Sequence, residues 1–271
     1  MENIIITGCS TGIGLATAKY LKERFITVYP TARDIKDVLI LKDLGFENAM
    51  QLDVTKPQQI KDVIESVLAK ESKIDVWFNN AGFGQVGAVE DLETKALKEQ
   101  FEVNVFGLHE CTRQIIPVMR KQGFGKIIQH SSVLGIISLF GRGAYNASKY
   151  AVEGLTDTLR LELKDTNIHA VLLNTGPVTS DFRKTAIKKL QENIDIENSN
   201  FKKRYVQNIE GTSKKVPFGK DAEAVALVVH KIILSKNPKP RYYITLPTYF
   251  LAYLKRLLST SVLDKILIRL G

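Results

Sequence analysis

Cysteine is scarce in this sequence. Of 271 residues only two are cysteine, Cys9 and Cys111. That excludes a disulfide framework and a CxxC metal pair, and it agrees with a reducing compartment. Long apolar runs are also missing, and none approaches the ~20 residues of a membrane-spanning helix. The first apolar run, Ile4 to Ile6, is short and leads straight into a glycine motif, so no signal peptide is expected. There is no internal repeat. Nor is there a massed basic arm: the net charge of +9 comes from basic residues spread along the chain. Such spacing favours a soluble, Lys-rich surface over a nucleic-acid partner. With 44% hydrophobic and 25% charged residues, the chain has ordinary globular usage, and disorder is not expected. The cytoplasm is the expected location.

What is present is an alternation. Asn3 to Thr7 reads as a short buried strand, and a helical pattern runs from the following glycines to about Glu23. Phe25 to Ala32, Ala49 to Leu52 and Ile74 to Phe78 read as further strands, separated by helices over Ile35 to Leu44 and from Pro57 onward. Two helices are expected over Leu92 to Phe106 and Gly107 to Lys121. A strand follows over Gly125 to Ser131, then a helix over Tyr145 to Lys164 and a strand over Ile168 to Asn174. Strand and helix in turn imply right-handed crossovers and a parallel sheet covered on both faces. The fold class is therefore α/β, a doubly wound parallel sheet of the Rossmann type.

Gly8, Gly12 and Gly14 lie between the first strand and the first helix. Glycines are needed there because the chain must turn tightly and let its backbone approach a phosphate without a Cβ in the way. The helix N-terminus then offers free N–H groups to a pyrophosphate. The end of the second strand, Thr31-Ala32-Arg33-Asp34, selects the dinucleotide. An acid at this point hydrogen-bonds free ribose hydroxyls, whereas Arg33 suits a 2′-phosphate by charge and fork geometry. NADP(H) is expected in preference to NAD(H).

The stretch Ser132 to Lys149 carries the chemistry. Tyr145 and Lys149 are separated by four positions, so on a helix both side chains share a face. An ammonium beside a phenol favours phenolate and should lower the phenol pKa. Reduction of a carbonyl needs a hydride, supplied by nicotinamide, and a proton, supplied by Tyr145, while Ser132 orients the oxygen.

These motifs together resemble the compact, single-domain branch of the short-chain dehydrogenase/reductases. The matches are Thr7-Gly8…Gly12-Ile13-Gly14, Leu52-Asp53-Val54, Asn79-Asn80-Ala81-Gly82, Val103-Asn104-Val105-Phe106-Gly107, Ser131-Ser132 and Tyr145-Asn146-Ala147-Ser148-Lys149. The Thr-Ala-Arg turn, the long segment after the sixth strand and the C-terminal extension are most similar to the 17β-hydroxysteroid and retinol dehydrogenase-like members. The resemblance implies a catalytic set of Asn104, Ser132, Tyr145 and Lys149, with Asn104 supporting a water in a proton relay. It implies that Ser10, Thr11 and Ile13 join the three glycines at the cofactor, that Asp53 accepts from the adenine amine, and that Val54 lies beside it. Asn79, Ala81 and Gly82 would line the floor under the adenosine ribose and hold the central strand, and Asn80 would also bind the cofactor. Gly176 would approach the nicotinamide, Val178 its carboxamide, and Ser180 would follow. Tyr145 and Lys149 would also touch the cofactor, Lys149 through the nicotinamide ribose. Where the family has Pro-Gly after the sixth strand, this chain has Thr175-Gly176-Pro177, and His130 stands where a smaller residue is common. No metal is implied.

Residues 177–220 form a long, polar, Lys-rich insertion expected to act as a substrate lid, with short helices over Ala186 to Gln191 and Asn200 to Asn208. The catalytic domain would span residues 1–246. Residues 247–271 would form an amphipathic helix, broken near Ser259-Thr260-Ser261, that packs on its own domain, on a second subunit, or peripherally on a membrane. Leu134, Ile136, Ile137, Leu139 and Phe140, with Phe83, Val86 and Phe182, would wall an apolar site for a steroid, retinoid, lipid or aromatic carbonyl. Family members pair through helices equivalent to Leu92–Lys121 and Tyr145–Lys164, so a homo-oligomer is expected. The competing reading is a non-catalytic NADP(H)-binding redox sensor or scaffold, whose hallmark, a broken Ser–Tyr–Lys set, is not seen.

Overall fold

The computed structural model describes residues 2–211 and 218–270. The chain opens with β1 (Asn3–Ile6), α1 (Gly12–Lys22), β2 (Thr27–Ala32), α2 (Ile35–Asp43), β3 (Met50–Gln51), α3 (Pro57–Glu71) and β4 (Val76–Asn79). It continues through α4 (Thr94–Phe101), α5 (Leu108–Gln122), β5 (Gly125–Ser132), α6 (Gly143–Glu162) and β6 (Ile168–Thr175). The seven-stranded sheet has the order β3-β2-β1-β4-β5-β6 and ends in β9 (Arg241–Tyr243), with every pairing parallel. The strands are buried on both faces because successive side chains alternate between two cores. Ile4, Ile6, Val76, Phe78 and Ile128 meet one helical layer, and Ile5, Trp77 and Ile127 meet the other. The second layer is built on α3 and α5, through Ile60, Val63 and Ile64 of the first and Cys111, Ile115 and Met119 of the second. This agrees with the doubly wound sheet expected from the alternation.

Several elements differ from the sequence reading. The two helices expected on either side of Gly107 are one helical path, in which α4 passes through a π-helical turn, Glu102–Gly107, into α5. Single π turns inside helices are frequent at functional sites. Nothing was read between the insertion and Tyr249, yet α9 (Glu223–Leu234) lies there and packs on α1, and β9 completes the sheet. A three-residue strand bounded by Pro240 is too short to show alternation, which explains the miss.

The insertion folds as β7 (Val178–Thr179), α7 (Phe182–Asn193), α8 (Lys202–Glu210) and β8 (Lys220–Asp221), with β7 and β8 paired. Residues 212–217 of the expected lid lie outside the described residues. Both helices share a small core of their own, in which Ala186, Leu190, Ile194 and Tyr205 meet Val86 and Ala88. The Tyr205 hydroxyl donates to Asp91 at 2.5 Å and accepts from the Ala88 N–H at 2.7 Å, which ties α8 to the loop after β4.

The tail is α10 (Leu246–Leu257) and α11 (Thr260–Leu267), broken where expected. One side packs on its own domain: Leu251, Leu263 and Leu267 are buried against Val133 and Ile137 in the segment after Ser132. Among the described residues no helix is long and apolar enough to cross a membrane.

Candidate active site

The site forms where the strand order reverses. From β1 the chain builds β2 and β3 on one side and returns through β4 on the other, which opens a crevice at the carboxyl ends of β1 and β4. The loop between β1 and α1 enters this crevice with Gly8 at φ +71° and Gly12 at φ +59°, the left-handed region where a Cβ is costly. A methyl group at Gly14 would stand 2.3 Å from the Gly8 carbonyl oxygen. The loop is clamped to β4: Asn80 Nδ2 donates to the Thr7 and Gly8 carbonyls, both at 2.9 Å. The N–H groups of Asn80 and Ala81 donate in turn to Thr7 Oγ1 at 3.0 and 2.9 Å. Ser10 and Thr11 are exposed, Ile13 is half-buried, and no side chain caps α1 at Thr11. An uncapped helix N-terminus behind a close-packed glycine turn fits a pyrophosphate. Ser180 closes this cradle from the insertion, since a methyl at Gly12 would lie 3.4 Å from its Cβ.

Beyond the end of β2, Arg33 stands with its side chain 71% exposed and, among the described residues, pairs with Asp34 at 3.4 Å. An ion pair this open contributes little and releases the guanidinium easily. Asp53 Oδ1 accepts from the Thr55 N–H at 3.0 Å and hydroxyl at 2.8 Å, which fixes its carboxylate at the end of β3. Val54 is buried, with its side chain and carbonyl packed against Gly107. Asn79 is a correction. Its Oδ1 accepts from Trp77 Nε1 at 2.7 Å, and its Nδ2 donates to Thr112 and Gln129 at 3.1 and 2.9 Å. It is consumed in a buried network beneath the sheet end and does not line the ribose floor.

At the other end Ser132, Tyr145 and Lys149 converge. Ser132 ends β5, and its Oγ accepts from the Leu134 N–H at 3.1 Å, which fixes its rotamer. Its hydroxyl is hydrogen-bonded to the Tyr145 phenol. Tyr145 and Lys149 share a face of α6, with Nζ 5.6 Å from the phenol ring centroid. The electrostatics differ from the sequence expectation. Burial pushes the Tyr145 phenol up to about 12, opposed by the Ser132 hydrogen bond and the positive charge of Arg142. Burial also holds Lys149 down, at about 8, against the attraction of Glu153. Lys149 Nζ donates to the His130 carbonyl at 2.6 Å. Thus Lys149 alone does not make the phenol acidic. Arg142 is the cation set against it, at the N-cap of α6, three residues before Tyr145.

Asn104 sits on the π-helical turn and is buried. Its Oδ1 accepts from the Phe83 N–H at 3.1 Å, and its Nδ2 donates to the Phe83 carbonyl at 2.9 Å. It holds the Gly82–Phe83 segment beside α6, where its Nδ2 also reaches Ser148 Oγ at 3.4 Å. Gly176 lies against the first turn of α10, and a methyl there would stand 2.1 Å from Thr245 Oγ1. Val178 is half-buried against the α1–α9 layer.

Of the expected apolar wall, Phe182 reaches Tyr145, with ring centroids 5.3 Å apart. Leu134, Ile136, Ile137 and Leu139 pack with the tail instead. Val86 is in the core of the insertion, and Phe140 stacks on Phe201 at 5.0 Å. Leu139 and Phe140 also border a cleft of about 720 Å³ whose lining contains neither Ser132 nor Tyr145.

Two groups were missed by sequence reasoning. Ser131, Asn174 and Arg241 all bind the buried Glu153, one turn after Lys149, and this cluster ties α6 to β5, β6 and β9. His130 bridges the two halves of the crevice, with Nδ1 3.0 Å from Asn80 Oδ1 and Nε2 3.2 Å from Thr175 Oγ1. The signal for Glu153 was its i+4 spacing from Lys149. For His130 the only signal was its unusual size at that position.

Comparison with known proteins agrees with this geometry. Residues 2–191 match the family model described as short chain dehydrogenase. The uncharacterized oxidoreductase YbbO of Escherichia coli K12 is 36% identical over 267 residues, covering 98% of this chain and 94% of that protein. Human 17-beta-hydroxysteroid dehydrogenase type 1 is 31% identical over 255 residues, covering 89% of this chain and 77% of its own length. The solved structure of a serine dehydrogenase with NADP+ superposes with a TM-score of 0.77 at 22% identity, covering 91% of this chain and 95% of that one.

Proposed function

The chain belongs to the short chain dehydrogenase family, and from that premise we propose that it is an NADP(H)-dependent oxidoreductase interconverting a carbonyl and an alcohol. The observation that carries the reading is the Ser132–Tyr145 hydroxyl pair, with Lys149 on the same helix face, at the end of the crevice opposite Arg33. A bound nicotinamide supplies the hydride. The residues of this chain manage the proton. Tyr145, pushed up to about 12, holds its proton at neutral pH and is poised to give it to a carbonyl oxygen that Ser132 orients. Arg142 and Ser132 stabilise the phenolate left behind. Lys149 binds ribose hydroxyls, and its lowered pKa lets it pass a proton on. Asn104 fixes the turn from which the relay water is held.

The NADP(H) preference rests on Arg33, whose guanidinium stands at the end of β2, 71% exposed and in an open pair with Asp34. An apolar substrate is supported by Phe182 against Tyr145 and by the 17-beta-hydroxysteroid dehydrogenase relative. The insertion acts as the lid, with residues 1–246 as the catalytic domain, in a cytoplasmic setting. Pairing of two copies through α5 and α6 is supported by the exposed side chains of Phe124, Tyr150, Leu155 and Leu161 beside or on those helices. The test is an NADPH-consumption screen over aldehydes, ketones, steroids, retinoids and quinones. Tyr145→Phe should lose nearly all turnover on any substrate found; turnover surviving that change would overturn the mechanism. Arg33→Ala should raise the KM for NADPH far more than that for NADH, and equal effects would overturn the cofactor assignment.

A further inference from the structure

The tail helix α10 carries an apolar face that its own domain does not cover. Thr248, Leu251 and Ala252 are buried against the body. On the opposite side Leu246, Phe250, Tyr253 and Leu257 follow at i, i+4, i+7 and i+11 and are 73%, 63%, 59% and 78% exposed. Scattered exposed apolar residues need no explanation, but a continuous helical stripe of large ones does. Arg256 flanks it in the last turn, Lys255 lies in the same turn on the side away from it, and α11 and its end add Lys265, Ile268 and Arg269, all exposed. Asp264 is the sole acid from Leu246 to Leu270.

We propose that this stripe docks on an anionic lipid surface, with the four residues entering the acyl boundary and the basic groups meeting lipid phosphates. The occupant follows from charge and residue type. Large apolar and aromatic side chains bordered by Lys and Arg are the composition of helices that lie in a membrane interface. A second copy of this chain on the same face would bring two basic tails together and be opposed by like charge. The chain's net charge of +9 adds a general attraction to an anionic surface. The location also fits: α10 packs on the segment after Ser132 through Leu251, and its first turn packs on Gly176 through Thr245 and Thr248. A lipid-docked α10 therefore leaves both loops of the site one helix diameter, ~10 Å, from the membrane surface, and on the reading of an apolar carbonyl substrate that is where the substrate would reside.

The test is co-sedimentation of the full chain with phosphatidylcholine vesicles and with vesicles holding phosphatidylglycerol as well. Binding is expected to the anionic vesicles, to weaken with added salt, and to fall by at least about tenfold in Phe250→Glu and Leu257→Glu. Both side chains point away from the body, so each variant should keep the wild-type melting temperature and NADPH affinity. Those two measurements exclude a folding defect. Failure of the full chain to bind anionic vesicles would overturn the proposal, as would binding that both variants retain. A wild-type dimer that dissociates in the same variants, seen by light scattering, would assign the stripe to a second copy and also overturn it.

Discussion

His130 makes stability depend on pH in a way that can be measured. Its ring lies between Asn80 and Thr175, and burial, helped by the charge of Lys149, holds its pKa down at about 3 against an ordinary 6.5. The folded chain therefore keeps this imidazole neutral where the unfolded chain protonates it. A depressed folded pKa gives stability that is present above pH 6.5 and lost as pH falls, because the unfolded state then binds the additional proton. Between pH 7.5 and 5.5 this single group should withdraw about 1.4 kcal/mol, and the loss approaches about 1.4 kcal/mol for each further unit. The upper limit, reached near pH 3, is about 5 kcal/mol from the shift of 6.5 to about 3. The assay is urea unfolding of wild type and His130→Gln at pH 5.5, 6.5 and 7.5. The constant cost of the substitution cancels when each protein is referred to its own value at pH 7.5. His169, also held low by burial, is common to both proteins and cancels too. The wild type should lose about 1.4 kcal/mol more than the variant across this interval. Parallel pH dependence of the two would refute the neutral-histidine reading and the bridge drawn through it.

Arg142→Gln should move the alkaline limb of the turnover–pH profile upward, because the phenolate loses the positive charge that favours it; an unmoved limb would remove Arg142 from the site. Arg241→Met leaves the buried Glu153 carboxylate without its cation and should cost about 3–5 kcal/mol in urea unfolding, whereas a loss below about 1 kcal/mol would show the pair to be open to water. Gly14→Ala should abolish NADPH binding measured by fluorescence while the protein stays folded, since its methyl would stand 2.3 Å from the Gly8 carbonyl and force the loop off its cradle.

Much of the fold was legible because its signals are local. The alternation of apolar strands and amphipathic helices from Asn3 to Thr175 needs only period 2 and period 3.6, and alternation of this kind implies a parallel sheet with right-handed crossovers. The glycine loop was legible for a similar reason, as backbone geometry at Gly8, Gly12 and Gly14 excludes a Cβ. β9 was not legible. Three residues carry no period, and the strand exists because β6 leaves an unpaired edge that Arg241 to Tyr243 can complete. The π-helical turn was hidden as well. Residues Glu102 to Gly107 have no helix-breaking proline, and what extends the turn is the fit of Asn104 to both backbone groups of Phe83 and of Gly107 to Val54.

Tyr145 and Lys149 show where sequence spacing stops. A four-residue step places Tyr145 and Lys149 on one face, and the structure has them there. Spacing says nothing of what else reaches that face. Lys149 spends a hydrogen bond on the His130 carbonyl and leans toward Glu153, so its charge is divided before it acts on the phenol. Arg142 arrives from the N-cap of the same helix, and burial raises the Tyr145 pKa more than Ser132 and Arg142 lower it. The outcome is a phenol that keeps its proton, the state a reductase needs before transfer. Spacing alone predicts a lowered pKa, because it registers the neighbouring ammonium and not the burial of the phenol, which outweighs it.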